Sequence, residues 1–197
     1  MVQRIVPERC CGVLIDVQSF FLAQVEKRQR ARIVANTANL LRLLNYFEIP
    51  VAATVEQPVE RKGMLPPAIA RYLGEQPAIF EKLTFDLCKE PQVRAHLKRL
   101  NKKQMIVAGC ETDVCVMQSC LGLLELGYEV YLVEETLFSS SRNVAAALAR
   151  MTAAGAVIVT YKMLFYELME SVDGRRTREK GRTIFRPFPD DLPDAAV

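Results

Sequence analysis

A single histidine in 197 residues is the scarcity that excludes most. A cysteine nucleophile usually takes its base from an imidazole. His96 lies on the helical stretch "QVRAHLKRL", beside an apolar stripe and ahead of a strand rather than after one. It reads as a helix-surface residue, so a Cys–His pair of the glutamine-amidotransferase type is not supported. Cysteine is present six times, at Cys10, Cys11, Cys88, Cys110, Cys115 and Cys120, yet the chain has no CxxC pair. Neither a small-domain disulfide framework nor structural zinc fits that spacing. The N-terminus "MVQRIVPERCCGVLIDV" lacks the basic, apolar and small-residue segments of a signal peptide. No stretch reaches the roughly 18 apolar residues that span a bilayer. The net charge of +3 is too small to argue for nucleic acid or a membrane surface. One basic stretch, Arg175 to Arg186, is better read as a solvated tail than as a site for an acidic partner. Together these absences predict a cytoplasmic protein whose thiols stay free.

Short apolar, β-branched runs recur at 11–17, 50–55, 104–110, 129–135 and 156–161, with a weaker one at 77–83. They are nearly continuous rather than alternating, as in strands buried on both faces of a parallel sheet. Helical patterns lie between them. Ile33, Thr37, Leu40, Leu41, Leu44 and Phe47 share one face ahead of Pro50, Val93, Leu97 and Leu100 line a second helix, and Val144, Leu148 and Met151 a third. Alternating strands and helices predict an α/β fold, a three-layer α/β/α sandwich with a mostly parallel, Rossmann-like sheet of about six strands. One domain over 1–172 is expected, followed by a charged, Pro-containing tail over 173–197. The apolar "YKMLFYELM" near its end fits a buried terminal helix or an interface equally well.

Ligands of such sheets bind beyond the carboxyl ends of the strands. There stand Asp16 to Phe21, Glu56 and Gln57, Lys82 to Phe85, and Cys110 to Cys115. The stretch "AGCETDVCVMQSC" ends a strand and begins a helix. With Thr112 as N-cap, Cys115 falls in the first helical turn, where free N–H groups and the helix dipole would lower its pKa. The same N–H groups would meet an oxyanion forming on a substrate. Core packing is the alternative for Cys115, and the better reading for Cys110 and Cys120. Asp16 and Lys82 each end an apolar run, where a charge is costly without a task. An ammonium that favours thiolate and a carboxylate that accepts the thiol proton form a coherent set around Cys115.

The segments "VLIDVQSFF", "FEKLTFD" and above all "VAGCETDVCVMQSCLGLLELGYEVYLVEE" resemble the isochorismatase-like cysteine hydrolases, a superfamily that includes nicotinamidases and N-carbamoylsarcosine amidases. The resemblance covers about residues 11–170. It implies Asp16, Lys82 and Cys115 as the catalytic triad, with Asp16 taking the thiol proton. It further implies an oxyanion hole from the backbone N–H groups of Glu111 and Cys115, and a cis peptide at Cys110–Glu111. The histidine-free segment "VAATVEQPVERKGMLPP" departs from the nicotinamidase metal site, so no metal or cofactor is expected and nicotinamide is disfavoured. The chain looks closer to the metal-free isochorismatase-domain-containing and YcaC-like branch. The implied activity is hydrolysis of a small-molecule amide or other C–N bond through a thioester. A non-catalytic binding or scaffold role and a thiol-redox role stand as alternatives. Gln18, Phe20, Phe21, Glu56, Gln57 and Phe85 are candidate substrate-binding residues, with core or interface packing the alternative for the phenylalanines. A homo-oligomer, dimer or higher, is implied by the resemblance.

Overall fold

The nearly continuous apolar runs become strands because only a sheet covered on both faces buries every side chain along them. In the computed structural model, which describes residues 4–171, the strands are β1 (Cys10–Ile15), β2 (Val51–Glu56), β3 (Ala78–Lys82), β4 (Gln104–Gly109), β5 (Glu129–Leu137) and β6 (Val157–Val159). They form one sheet in the order β3-β2-β1-β4-β5-β6, and every neighbouring pair is parallel. All six residues of β1 and of β4 are buried. The expected tail, with its basic stretch, lies outside the described residues.

The helices are α1 (Ser19–Leu22), α2 (Lys27–Tyr46), α3 (Val59–Lys62), α4 (Pro67–Ala70), α5 (Pro91–Leu100), α6 (Met117–Glu125), α7 (Ala145–Ala153) and α8 (Tyr161–Met169). Strand residues alternate between two cores. Cys10, Leu14, Ile106, Ala108, Tyr131 and Val133 face the apolar sides of α2 and α8. Cys11, Val13, Ile15, Met105, Val107 and Leu132 face α5, α6 and α7. Helix, sheet and helix make the expected three layers. The α2 helix starts at Lys27, ahead of its first apolar-face residue Ile33, because its first turns are polar. In α8, Tyr161, Leu164, Phe165, Leu168 and Met169 are buried, while Met163 and Tyr166 remain about half exposed.

Strand order reverses beside β1, whose successor in the chain, β2, lies on one side and β4 on the other. A sheet of this order opens a crevice beyond the carboxyl ends of β1 and β4. Gly109 makes that approach close. Its φ is +130°, and a Cβ there would sit 2.0 Å from the Ile15 carbonyl oxygen. The next N–H, that of Cys110, then donates to the same oxygen at 2.9 Å.

Candidate active site

Four strands each deliver one polar group to this crevice. Asp16 follows β1 with a left-handed φ of 50°, a conformation that aspartate tolerates better than most residues. Its backbone is fixed on three sides. The Asp16 N–H donates to Thr54 O at 3.1 Å, and its carbonyl accepts from the Gln18 N–H at 2.7 Å and from the Cys110 thiol at 3.1 Å. Glu56 and Lys82 close β2 and β3 and are register partners, so one sheet face receives both. Cys115 sits in a π-helical turn, Thr112–Val116, between β4 and α6. Turns of this type collect at functional sites. The peptide Cys110–Glu111 that enters it is cis.

Lys82 is the hub. Its Nζ lies 2.7 Å from Asp16 Oδ2, 3.4 Å from Glu56 Oε2, 3.6 Å from Cys115 Sγ and 3.1 Å from Thr84 O. The Cys115 thiol donates to Glu56 Oε2 at 3.1 Å. Thr54 Oγ1 donates to Asp16 Oδ1 at 2.8 Å, and Asp16 Oδ2 meets the Lys82 ammonium in a charge-assisted contact. Glu56 Oε1 pairs with Lys62 of α3, whose Nζ also donates to Gln57 O at 2.8 Å. Asp16, Lys82 and Cys115 are each at most 2 % exposed and Glu56 8 %. A charge in such a place persists only with partners.

Burial raises the Asp16 pKa despite the opposing charge of Lys82 and the Thr54 hydrogen bond. For Glu56 burial also raises it, but donation from Lys62 and Cys115 and the charges of both lysines outweigh burial and hold it below the usual carboxylate range. Burial would lower the Lys82 pKa, yet the neighbouring Asp16 and Cys115 raise it, so the ammonium is secure. The Cys115 thiol is pushed well up, first by burial and then by Asp16, with Lys82 only partly compensating. This corrects the sequence expectation of a lowered pKa at a helix start. Thr112 is not the cap either; its hydroxyl donates to Phe138 O at 3.0 Å. A thiol thus stands within hydrogen-bond distance of a carboxylate and beside an ammonium.

The structure brings Asp16, Lys82, Cys115 and Glu56 into direct contact. Gln18 lies against the same cluster, but its amide is spent on backbone: Nε2 donates to Glu56 O at 3.1 Å and Gly63 O at 2.7 Å, and Oε1 accepts from Glu56 N at 2.7 Å. It straps the end of β2 and thereby positions Glu56. Phe21 is buried in the α2-side core with Lys62 over its ring, whereas Phe20 and Phe85 stand about half exposed. The Gln57 amide reaches outward to Glu81 Oε2 at 2.8 Å. The Glu111 carboxylate is held by Ser140, its N–H donating at 3.0 Å. Cys120 is fully buried in the α6-side core, and His96 faces Phe80 and Arg99 on α5. Thr54 and Lys62 were not among the sequence candidates. Thr54 stands inside an apolar strand, and no periodicity marks the single turn of α3.

Oxygens of Asp16 and Glu56 and the Cys115 sulfur lie within 4.8 Å of one another, a donor set that could in principle hold a metal ion. The Lys82 ammonium already stands among them, and its charge opposes a second cation there.

Comparison with known proteins agrees with this architecture. Residues 10–163 match the isochorismatase domain model. Isochorismatase family protein 1B of Dictyostelium discoideum is 31 % identical over 84 % of this chain and 81 % of that protein. Among solved structures, MAR1 ribonuclease from Caenorhabditis elegans superposes with a TM-score of 0.85 at 26 % identity, covering 99 % of this chain and 97 % of its own. The Escherichia coli YcaC gene product, described as an octameric hydrolase of unknown specificity, gives a TM-score of 0.81 at 24 % identity over 87 % and 84 % of the two chains.

Proposed function

This chain belongs to the isochorismatase domain family, and from that premise we propose that it hydrolyses a small-molecule amide or related C–N bond through a thioester on Cys115. One observation carries the reading: a buried thiol lies 3.1 Å from a carboxylate and 3.6 Å from an ammonium. Loss of the thiol proton to a carboxylate leaves a thiolate beside Lys82, which attacks the substrate carbonyl carbon. The backbone N–H groups of Glu111 and Cys115 receive the oxyanion, each donor worth about 3 kcal/mol of barrier. The C–N bond then breaks, the leaving nitrogen takes a proton, and a thioester remains. Water gives a proton to a carboxylate and attacks the thioester, and the C–S bond breaks to restore the thiol. Amide plus water becomes acid plus amine, with no redox change.

Phe20 and Phe85, exposed beside Asp16 and Lys82 in the chain, fit the rim of a small-molecule pocket. Assembly as a homo-oligomer is part of the proposal, with the octameric YcaC product as a parallel on this fold. The cysteines at described positions are all free thiols, which suits a cytoplasmic setting. No helix among the described residues is long and apolar enough to cross a membrane.

The test is a panel of small amides, ureas and carbamoyl compounds assayed for amine or ammonia release, with acid-quenched peptide mass analysis. Turnover by the wild type, absent in Cys115→Ala, with an acyl adduct on the Cys115 peptide is the expected result. Turnover that survives Cys115→Ala would refute the thioester route.

A further inference from the structure

We propose that Ser139, Ser140 and Ser141 form a clasp that positions the oxyanion donors, with Ser140, acting on the Glu111 carboxylate, as its central residue. The inference rests on the reading of the Glu111 and Cys115 N–H groups as those donors and says what holds them in place. The π-helical turn Thr112–Val116 lies between β4 and α6. Regular structure fixes both ends of this stretch. At its start, Gly109 is a register partner of Leu137 on β5, and the Phe138 N–H donates to Gly109 O at 3.2 Å. At its far end the chain runs on into α6. The middle, residues 111–113, is held from the side by residues 138–141, which follow β5.

The bonds of the clasp pair off residue by residue. Phe138 O accepts from the N–H and from the hydroxyl of Thr112, each at 3.0 Å. Ser139 Oγ donates to Asp113 Oδ1 and Ser141 Oγ to Asp113 Oδ2, each at 2.6 Å. Ser140 gives both its N–H, at 3.0 Å, and its hydroxyl to Glu111 Oε1. Hydroxyl-to-carboxylate bonds are shorter and stronger than neutral ones. Burial raises the Asp113 pKa, but donation from Ser139 and Ser141 outweighs burial and holds it below its ordinary value. The N–H groups of Val114 and Val116 are matched by Glu111 O, each at 3.0 Å. Glu111 and Cys115 adjoin these anchored positions. An oxyanion donor works only about 2.7–3.1 Å from the oxygen that becomes charged, and a misplacement of about 1 Å can cost about a hundredfold in rate. One donor and one clasped carboxylate belong to the same residue, so Ser140 limits how far the Glu111 N–H can turn. Ser140 and the Glu111 side chain are therefore positioning groups.

Two small probes of Cys115 separate the placement of the donors from the reactivity of the thiol. p-Nitrophenyl acetate acetylates the sulfur through a tetrahedral oxyanion: the S–C bond forms, the ester C–O bond breaks, and p-nitrophenol leaves with the thiol proton. Iodoacetamide alkylates the same sulfur by displacing iodide from a saturated carbon, and no oxyanion forms. Both products are read on the Cys115 peptide by mass analysis after acid quenching of the native protein. We expect Glu111→Ala to slow acetylation about tenfold to a hundredfold while alkylation stays within about twofold of the wild type. Ser140→Ala keeps the N–H donor and should show a smaller loss of the same kind. Glu111→Gln, whose amide oxygen still accepts from Ser140, should keep most of the wild-type rate. Combining Glu111→Ala with Ser140→Ala should be no slower than Glu111→Ala alone. Ser140 is exposed and Glu111 partly so, and neither change opens the core. A matching fall in both reactions, or unchanged acetylation in Glu111→Ala, would overturn the clasp and leave Cys115 as nucleophile. A wild-type Cys115 that is not acetylated would sink the oxyanion reading itself, and the clasp with it.

Discussion

The two ends of one sheet bury polar groups in opposite ways. At the amino end, Gln104 opens β4 with its amide fully buried and fully matched. Its Oε1 accepts from Val6 N at 2.8 Å, and its Nε2 donates to Arg4 O and Glu129 Oε2, each at 2.7 Å. Every partner is supplied by the protein, and the central group is neutral. At the carboxyl end, two carboxylates and a thiol converge on one buried ammonium, that of Lys82, and every group in the cluster can ionise. A satisfied neutral network stabilises and specifies a fold, whereas a buried cluster of ionisable groups carries a desolvation cost that its pairing only partly repays. Burial alone does not separate the two, for Gln104, Asp16 and Lys82 are equally hidden. Ionisable charge does.

Substitutions at the two ends should therefore fail differently. The largest effect is expected from Lys82→Met, which leaves the buried Asp16 carboxylate without its cation while Glu56 keeps Lys62. Breaking a buried pair costs about 3–5 kcal/mol, measured by urea denaturation. The sign with pH follows from Asp16. Its folded pKa, already raised, rises further once Lys82 no longer opposes burial. The folded state of the variant then binds a proton that the unfolded chain has released. Its stability should therefore fall as pH rises above the ordinary aspartate range, with a deficit at pH 8 larger than at pH 5. A deficit independent of pH would break the comparison.

Gln104→Leu comes next. It strands the Val6 N–H and the Arg4 carbonyl, so about 2 kcal/mol of stability should be lost. Cys115 alkylation should keep the wild-type rate and pH profile, since nothing at the amino end reaches the thiol. Thr54→Val removes one donor to an ionised carboxylate, a loss of about 1.5 kcal/mol. It should also raise the Asp16 pKa further, visible as a displaced pH profile of turnover. Arg9→Ala should do least. The Arg9–Glu129 pair at 2.6 Å has its arginine side chain 47 % exposed, so solvent screening limits it to about 0.5 kcal/mol.

The carboxyl end was partly legible in the sequence because a charge at the tip of an apolar run is conspicuous. Asp16 after "VLI" and Lys82 after "AIFE" stand out, and Cys115 lies at a strand-to-helix junction. The hydrophobic pattern likewise gave the six strands and the layered architecture, since a buried parallel strand has little other way to look. What the pattern could not carry was register. Glu56 was visible as a strand-tip residue, but only its pairing with Lys82 across β2 and β3 puts its carboxylate on the thiol. Lys62 arrives from a one-turn helix with no periodicity to announce it. Gln18 looked like a pocket residue because it follows Asp16 closely, yet its amide is consumed by the backbone of the β2 end. Thr112 had the composition of an N-cap, but a nearby carbonyl of the β5 exit claims its hydroxyl and the turn becomes π-helical.

Competition among the six thiols for a small alkylating amide tests the central claim most directly. All six are free and buried, and Cys88, at 6 %, is the most exposed, against 2 % for Cys115 and 0 % for Cys10, Cys11, Cys110 and Cys120. Exposure alone therefore ranks Cys88 first. On the proposed reading of Cys115 as nucleophile, peptide-resolved iodoacetamide labelling of the native protein at neutral pH should instead modify Cys115 well ahead of Cys88, with the Lys82 ammonium 3.6 Å from the sulfur to favour the thiolate. Labelling that begins at Cys88, with Cys115 modified only as the protein unfolds, would contradict the account.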